Sequence, residues 1–245
     1  LLSRLNPVVL YFHGGGFVTG DLDSHDASAR AIARRTGAIV VSVAYRLAPE
    51  HKFPAAHDDA AAAWRWLVDH LRELTGDAKR LAVAGEDAGA NLAVHVALGA
   101  RDGRGPKPVH QVLIHPIAGN DMTTPSYGET LRARPIGLAA MRWRFRQVFD
   151  DEAEAGDARI NLVARDDWAG VAPATIALAG IDPLRSEGEA LAEAMEQADV
   201  PVNCWTYEGV VQGFFGLGLV VTKALFAQSD TADALGKAFA PARHS

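Results

Sequence analysis

The chain is 245 residues long, 49% of them hydrophobic, with a formal net charge of −6 and neither a charge block nor a low-complexity tract. That length supplies one sizeable core, and that charge gives no support for binding nucleic acid or an anionic membrane surface. A single cysteine, Cys204, excludes a disulfide within the chain and reads as a small core residue rather than a nucleophile.

In chain order, apolar runs at residues 8–12 and 39–44 read as buried strands. A helical pattern follows at 58–74, with Ala61, Trp64, Leu67, Val68 and Leu71 on one face and Asp58 as a candidate N-cap. A strand at 81–84 leads through Gly85-Glu86-Asp87-Ala88-Gly89-Ala90-Asn91 into a second helical run, Leu92 to Leu98. Strands are expected again at 109–115, 175–179 and 202–207, with a helix at 187–197. Residues 122–157 break this rhythm with Pro125, Pro135 and an amphipathic, arginine-bearing stretch, so they are read as a partial lid or a plain surface helix. The alternation predicts an α/β domain spanning 1–245, with a mostly parallel sheet covered by helices on both faces. Sites in such sheets lie at the carboxyl ends of the strands.

Four ordered motifs narrow the reading. They are His13-Gly14-Gly15-Gly16-Phe17; Tyr45-Arg46-Leu47-Ala48-Pro49-Glu50-His51 running on to Phe53-Pro54-Ala55-Ala56 and Asp58; the Gly85 to Gly89 turn; and Asp182-Pro183-Leu184. Together they resemble the hormone-sensitive-lipase-like carboxylesterase family, of the α/β-hydrolase fold, over nearly the whole chain. The resemblance implies a G-x-S-x-G nucleophile turn at Gly85 to Gly89 and a histidine in Gly209-Val210-Val211-Gln212-Gly213-Phe214. Asp87 stands where the serine is expected and Gln212 where the histidine is expected. By the same resemblance Asp182 is the orienting carboxylate, and the backbone N–H groups of Gly15, Gly16 and Ala88 are the oxyanion donors. Family members usually carry further N-terminal residues, so the chain is expected to lack two edge strands and part of a lid.

Acyl transfer needs a nucleophile, a base, a group that orients the base, and donors for the oxyanion. The last two are expected here and the first two are replaced. A carboxylate at a helix N-terminus beside amide donors is held in its charged form and can fill the oxyanion hole itself. Its attack on an ester gives an anhydride, whereas attack on an epoxide or alkyl halide gives an ordinary ester. Gln212 cannot accept a proton at neutral pH, and it is expected to donate its amide to Asp182.

The leading expectation is therefore a degenerate hydrolase without efficient ester hydrolysis. It keeps a pocket for a small apolar or carbonyl-containing ligand, with Phe17, Glu86, His115 and Phe214 as candidate lining. Two alternatives remain open: a lyase or dehydratase using Asp87 as base, and an unorthodox carboxylic-ester hydrolase that recruits a base such as His115. His13 is expected to hold the Gly-rich loop rather than move protons. No cofactor and no metal site is expected, and self-association as a homo-oligomer is compatible with the composition. Without a membrane-length apolar run or a signal-like start, a cytoplasmic location is the default expectation.

Overall fold

A computed structural model of the protein describes residues 5–241. Six strands, β1 (Asn6–Phe12), β2 (Ile39–Val43), β3 (Gly76–Glu86), β4 (His110–Ile114), β5 (Ala174–Ile181) and β6 (Val202–Val211), form one parallel sheet ordered β2-β1-β3-β4-β5-β6. The apolar runs predict all six, because strands buried on both faces read as continuous hydrophobic stretches. Two strands are markedly longer than their runs: β3 starts five residues earlier, through Asp77 to Arg80, and β6 continues four residues further, to Val211.

Side chains alternate across the sheet. Val8, Leu10 and Phe12 of β1 enter one core, while Val9 and Tyr11 enter the other. The first core is covered by α2 (Ala55–Asp69), α3 (Ala88–Arg101) and α6 (Arg185–Gln197). On the second face lie α1 (Asp26–Thr36) and α7 (Thr222–Phe239), through Ala29, Ile32, Ala224, Ala227 and Leu235. Each fully buried Leu, Val or Phe contributes roughly 1.5–3 kcal/mol. Trp64 joins the first core while Trp66, two residues on, is exposed, as the helical period of α2 requires.

Two details correct the sequence reading of α2. Asp58 is not an N-cap: the helix begins at Ala55 after Pro54, which places Asp58 inside it. The helix also ends at Asp69 rather than at 74, because a series of turns carries the chain to Gly76 and β3. In the 122–157 region lie α4 (Pro125–Glu129) and α5 (Leu138–Val148), with Met141 and Val148 buried. Among the described residues no helix is long and apolar enough to cross a membrane.

The topology fixes where a site can form. From β1 the chain moves outward to β2, then returns past β1 to β3 and continues the other way. The crevice beyond the carboxyl ends of neighbouring strands β1 and β3 is thus the switch point, the position at which such sheets bind ligands. The Gly-rich loop leaves β1 there, and the Gly85 to Gly89 turn leaves β3 there.

Candidate active site

Asp87 sits at the apex of the turn between β3 and α3 with φ 55° and ψ −117°, a strained conformation for a residue with a side chain. Its backbone is tied from both sides: N–H donates to Ile114 O at 2.9 Å, and its carbonyl accepts from Ile117 N at 3.1 Å. The flanking glycines are needed for close approach. A Cβ on Gly85 would lie 2.1 Å from Gly89 O, and one on Gly89 would lie 2.1 Å from Phe12 O. Asn91, one turn into α3, locks the elbow to its surroundings. Its Nδ2 donates to Ile117 O at 3.0 Å, and its Oδ1 meets His57 Nε2 at 2.9 Å. Burial pushes the His57 imidazole down to about 3, so it is neutral and serves as a structural partner.

The Gly-rich loop is braced as its motif predicts. His13 Nδ1 lies 2.8 Å from Gly14 O, its ring stacks on Tyr45 at 4.3 Å, and Tyr45 donates its hydroxyl to His13 O at 2.7 Å. Burial lowers the His13 pKa. This bracing turns the Gly15 N–H toward Asp87, where it donates to Oδ2 at 3.2 Å. The same oxygen accepts from Arg144 Nη1 of α5 at 3.1 Å. Arg144 also packs on Gly16, where an added Cβ would lie 2.4 Å from Arg144 Cδ. Asp87 Oδ1 is buried and has no hydrogen-bond partner.

A cavity of about 290 Å³ opens beside the elbow, bordered by Gly15, Glu86, Asp87, His115 and Gln212 and covered by Pro135, Ile136 and Arg144. The 122–157 segment therefore reaches over the pocket. A larger depression of about 900 Å³, bordered by Asn6, Lys79 and Phe239, lies at the opposite end of the sheet, remote from the elbow.

Behind Asp87 runs a buried polar chain. Tyr11 donates its hydroxyl to Glu86 Oε1 at 2.7 Å, and Glu86 Oε2 lies 3.6 Å from His115 Nε2. Burial disfavours charge on both members, but each outweighs that for the other: the Glu86 pKa is held down and the His115 pKa is raised. Gly213 N lies 3.3 Å from the same His115 Nε2, which brings the Gln212 loop against the end of β4. The His115 backbone has a φ of 35°.

Asp182 is fully buried, and its Oδ1 accepts from Leu184 N at 2.9 Å. Burial raises its pKa to about 7. Burial likewise pushes the nearby Glu187 carboxyl well above the usual carboxylate range. The expected Gln212 to Asp182 hydrogen bond is not formed: Asp182 Oδ2 and Gln212 Oε1 are both buried without partners. Two candidate lining residues also lie elsewhere. Phe17 packs in the first core beside His57, and Phe214 packs in the second core against Tyr207. Their place on the wall is taken by Arg144 and His25, neither of which the sequence reading singled out. His25 Nδ1 meets Ser24 Oγ at 3.1 Å, and its other ring nitrogen packs over Gly14. Among the described residues no group of three or more His, Cys, Asp or Glu is placed to hold a metal ion.

Residues 9–216 match the family model described as the alpha/beta hydrolase fold. Esterase LipI of Mycobacterium tuberculosis is 43% identical over 222 residues, which span 89% of this chain and 68% of that protein. Carboxylesterase NlhH of the same organism is 40% identical, covering 95% of this chain and 74% of that one. Among solved structures, a hyperthermophilic esterase from Pyrobaculum calidifontis superposes with a TM-score of 0.92 at 37% identity, covering 96% and 77% of the two chains. The carboxylesterase EstE1, cloned from a metagenomic library, gives 0.93 at 36% identity, covering 97% and 82%. With its nucleophile turn, Gly-rich loop and sheet order all in place, the chain belongs to the hormone-sensitive-lipase-like carboxylesterase family of α/β-hydrolases.

Proposed function

We propose that this protein keeps the α/β-hydrolase pocket as a binding site for a small apolar or carbonyl-containing ligand and does not turn esters over efficiently. The relatives are named esterases and carboxylesterases, so ester hydrolysis is the activity against which this reading is set. The observation that carries it is the environment of Asp87: its Oδ2 accepts from Gly15 N–H and from Arg144, so a carboxylate oxygen occupies one of the three N–H donors expected for a developing oxyanion. Gln212 adds the second defect, because a carboxamide cannot take or return the proton that each half of acyl transfer requires. In a hydrolase built on the same logic, loss of the nucleophile or the base alone costs roughly 10⁶ in kcat.

The test is steady-state hydrolysis of p-nitrophenyl butyrate by the native protein beside Asp87→Ala, His25→Ala and His115→Ala. Equal, near-background rates support the binding reading. Multiple turnover that disappears with Asp87 sinks it, and the histidine whose loss also abolishes turnover is then the recruited base.

A further inference from the structure

At the carboxyl end of α3 lies another cavity, of about 120 Å³, bordered by His95, Gly99, Asp102, Arg104, Arg159 and Arg165. Three guanidinium groups and one carboxylate line it, in a chain whose net charge is −6. The other carboxylates that hold these arginines stand outside the wall. Arg159 donates Nε and Nη2 to Asp157 at 2.9 and 2.8 Å, and Arg165 donates Nη2 to Asp167 at 2.6 Å.

Those contacts fix the guanidinium planes without using all their donors. Arg159 is held further by the Phe53 ring, 4.5 Å from its Cζ, and its Nη1 is left uncommitted and accessible. Arg104 makes only a 3.7 Å ion pair with Asp102 and is 64% exposed, which puts a movable guanidinium at the mouth. Arg165, mostly buried, adds its charge from the wall. Burial, and then the positive charge of Arg159, Arg104 and Arg165, push the His95 imidazole down to about 4. At neutral pH that ring is uncharged and offers one N–H donor.

We propose that this cavity is an anion site that takes the phosphate group of inorganic phosphate or of a small phosphate monoester. Guanidinium forks match phosphate oxygens, and arginines brought in from three points of the chain suit a tetrahedral group better than a two-oxygen carboxylate. The volume admits a group the size of about four waters, so the remainder of an ester projects outward past Arg104. The site lies behind the nucleophile turn. His95 packs edge-on against His57 at 5.1 Å, and Ile160, next to Arg159, accepts through its carbonyl from Asn91 Nδ2 at 3.3 Å.

The experiment is titration of the native protein at pH 7 with sodium phosphate and, separately, with phenyl phosphate, at ionic strength matched by sodium chloride. Calorimetry reads affinity, and backbone amide NMR maps the place. The expected result is saturable binding with a dissociation constant of about 1 mM or tighter, with shifts centred on Gly99, Asp102, Arg104 and Arg159. Arg104→Gln should weaken it about tenfold while circular dichroism stays native, because that side chain is exposed and carries no packing. Binding of inorganic phosphate alone supports the site as one for the free ion, and binding of phenyl phosphate at least as tightly supports a monoester ligand. No saturable binding of either up to about 10 mM overturns the proposal. So do shifts centred instead on Gly15 and Arg144, or an affinity unchanged in Arg104→Gln. Mapping on the native protein keeps the test decisive should a variant misfold, and none of these readouts depends on ester hydrolysis.

Discussion

Arg144 of α5 reaches 57 residues back along the chain to place its guanidinium 3.1 Å from Asp87 Oδ2, and both side chains are almost buried, at 11% and 5% exposure. This contact fastens the covering segment to the nucleophile turn. It also compensates a carboxylate that the apolar surroundings would otherwise expel.

The pair should therefore be strongly coupled. Arg144→Ala leaves Asp87 with one N–H partner and is expected to destabilise the fold by about 3 kcal/mol, the range for breaking a nearly buried pair from one side. In the Asp87→Asn background the same change should cost about 1 kcal/mol, since no charge is stranded. A double-mutant cycle by urea unfolding measures the difference, and additive effects would contradict the coupling.

Asp182 gives the protein a pH-dependent weakness. Its folded pKa of about 7 lies above the ordinary carboxylate value because burial penalises the charge. The folded state thus binds more protons than the unfolded state between those values, and stability falls as pH rises through that window. Asp182→Asn keeps the Oδ1 acceptor for Leu184 N–H and removes the penalty. It should raise unfolding free energy at pH 8 by a few kcal/mol and change it little near pH 4. Urea denaturation at the two pH values checks this, and equal effects at both would refute it.

The Glu86 and His115 pair works in the opposite sense at each end of the scale. Glu86, held low, contributes stability present above its unfolded pKa and lost as pH falls through the folded one. His115, held high, contributes stability present below its unfolded pKa and lost as pH rises through the folded one. His115→Ala strands a buried carboxylate beside Tyr11 and should cost about 3–5 kcal/mol near pH 6. Thermal unfolding at that pH provides the measurement, and a shift within error would mean that the pair is not formed.

Much of this architecture can be read from the residues, for physical reasons. Strands buried on both faces have to be apolar throughout, so runs such as 8–12 and 109–115 mark the sheet directly. The turn around Asp87 is marked by Gly85 and Gly89, whose hydrogens are the only substituents the neighbouring backbone admits. Long-range polar contacts leave no such trace. Arg144 reads as one more arginine on an amphipathic helix, and only the approach of α5 to the Gly-rich loop makes it a partner of Asp87. His25 lies outside every motif and reaches the pocket because its loop folds over Gly14. Gln212 and Asp182 show the opposite failure: their positions follow from the motifs, but the hydrogen bond expected between them does not form.

The most direct test of the central claim is steady-state p-nitrophenyl butyrate hydrolysis by the native protein beside the double variant Asp87→Ser with Gln212→His. If the scaffold is intact and only the nucleophile and base are missing, the native protein should stay near background. The double variant should then gain at least about 10³-fold, with each single variant gaining far less because the two groups act as a unit. Multiple turnover by the native protein at a rate equal to or above that of the double variant would contradict the account.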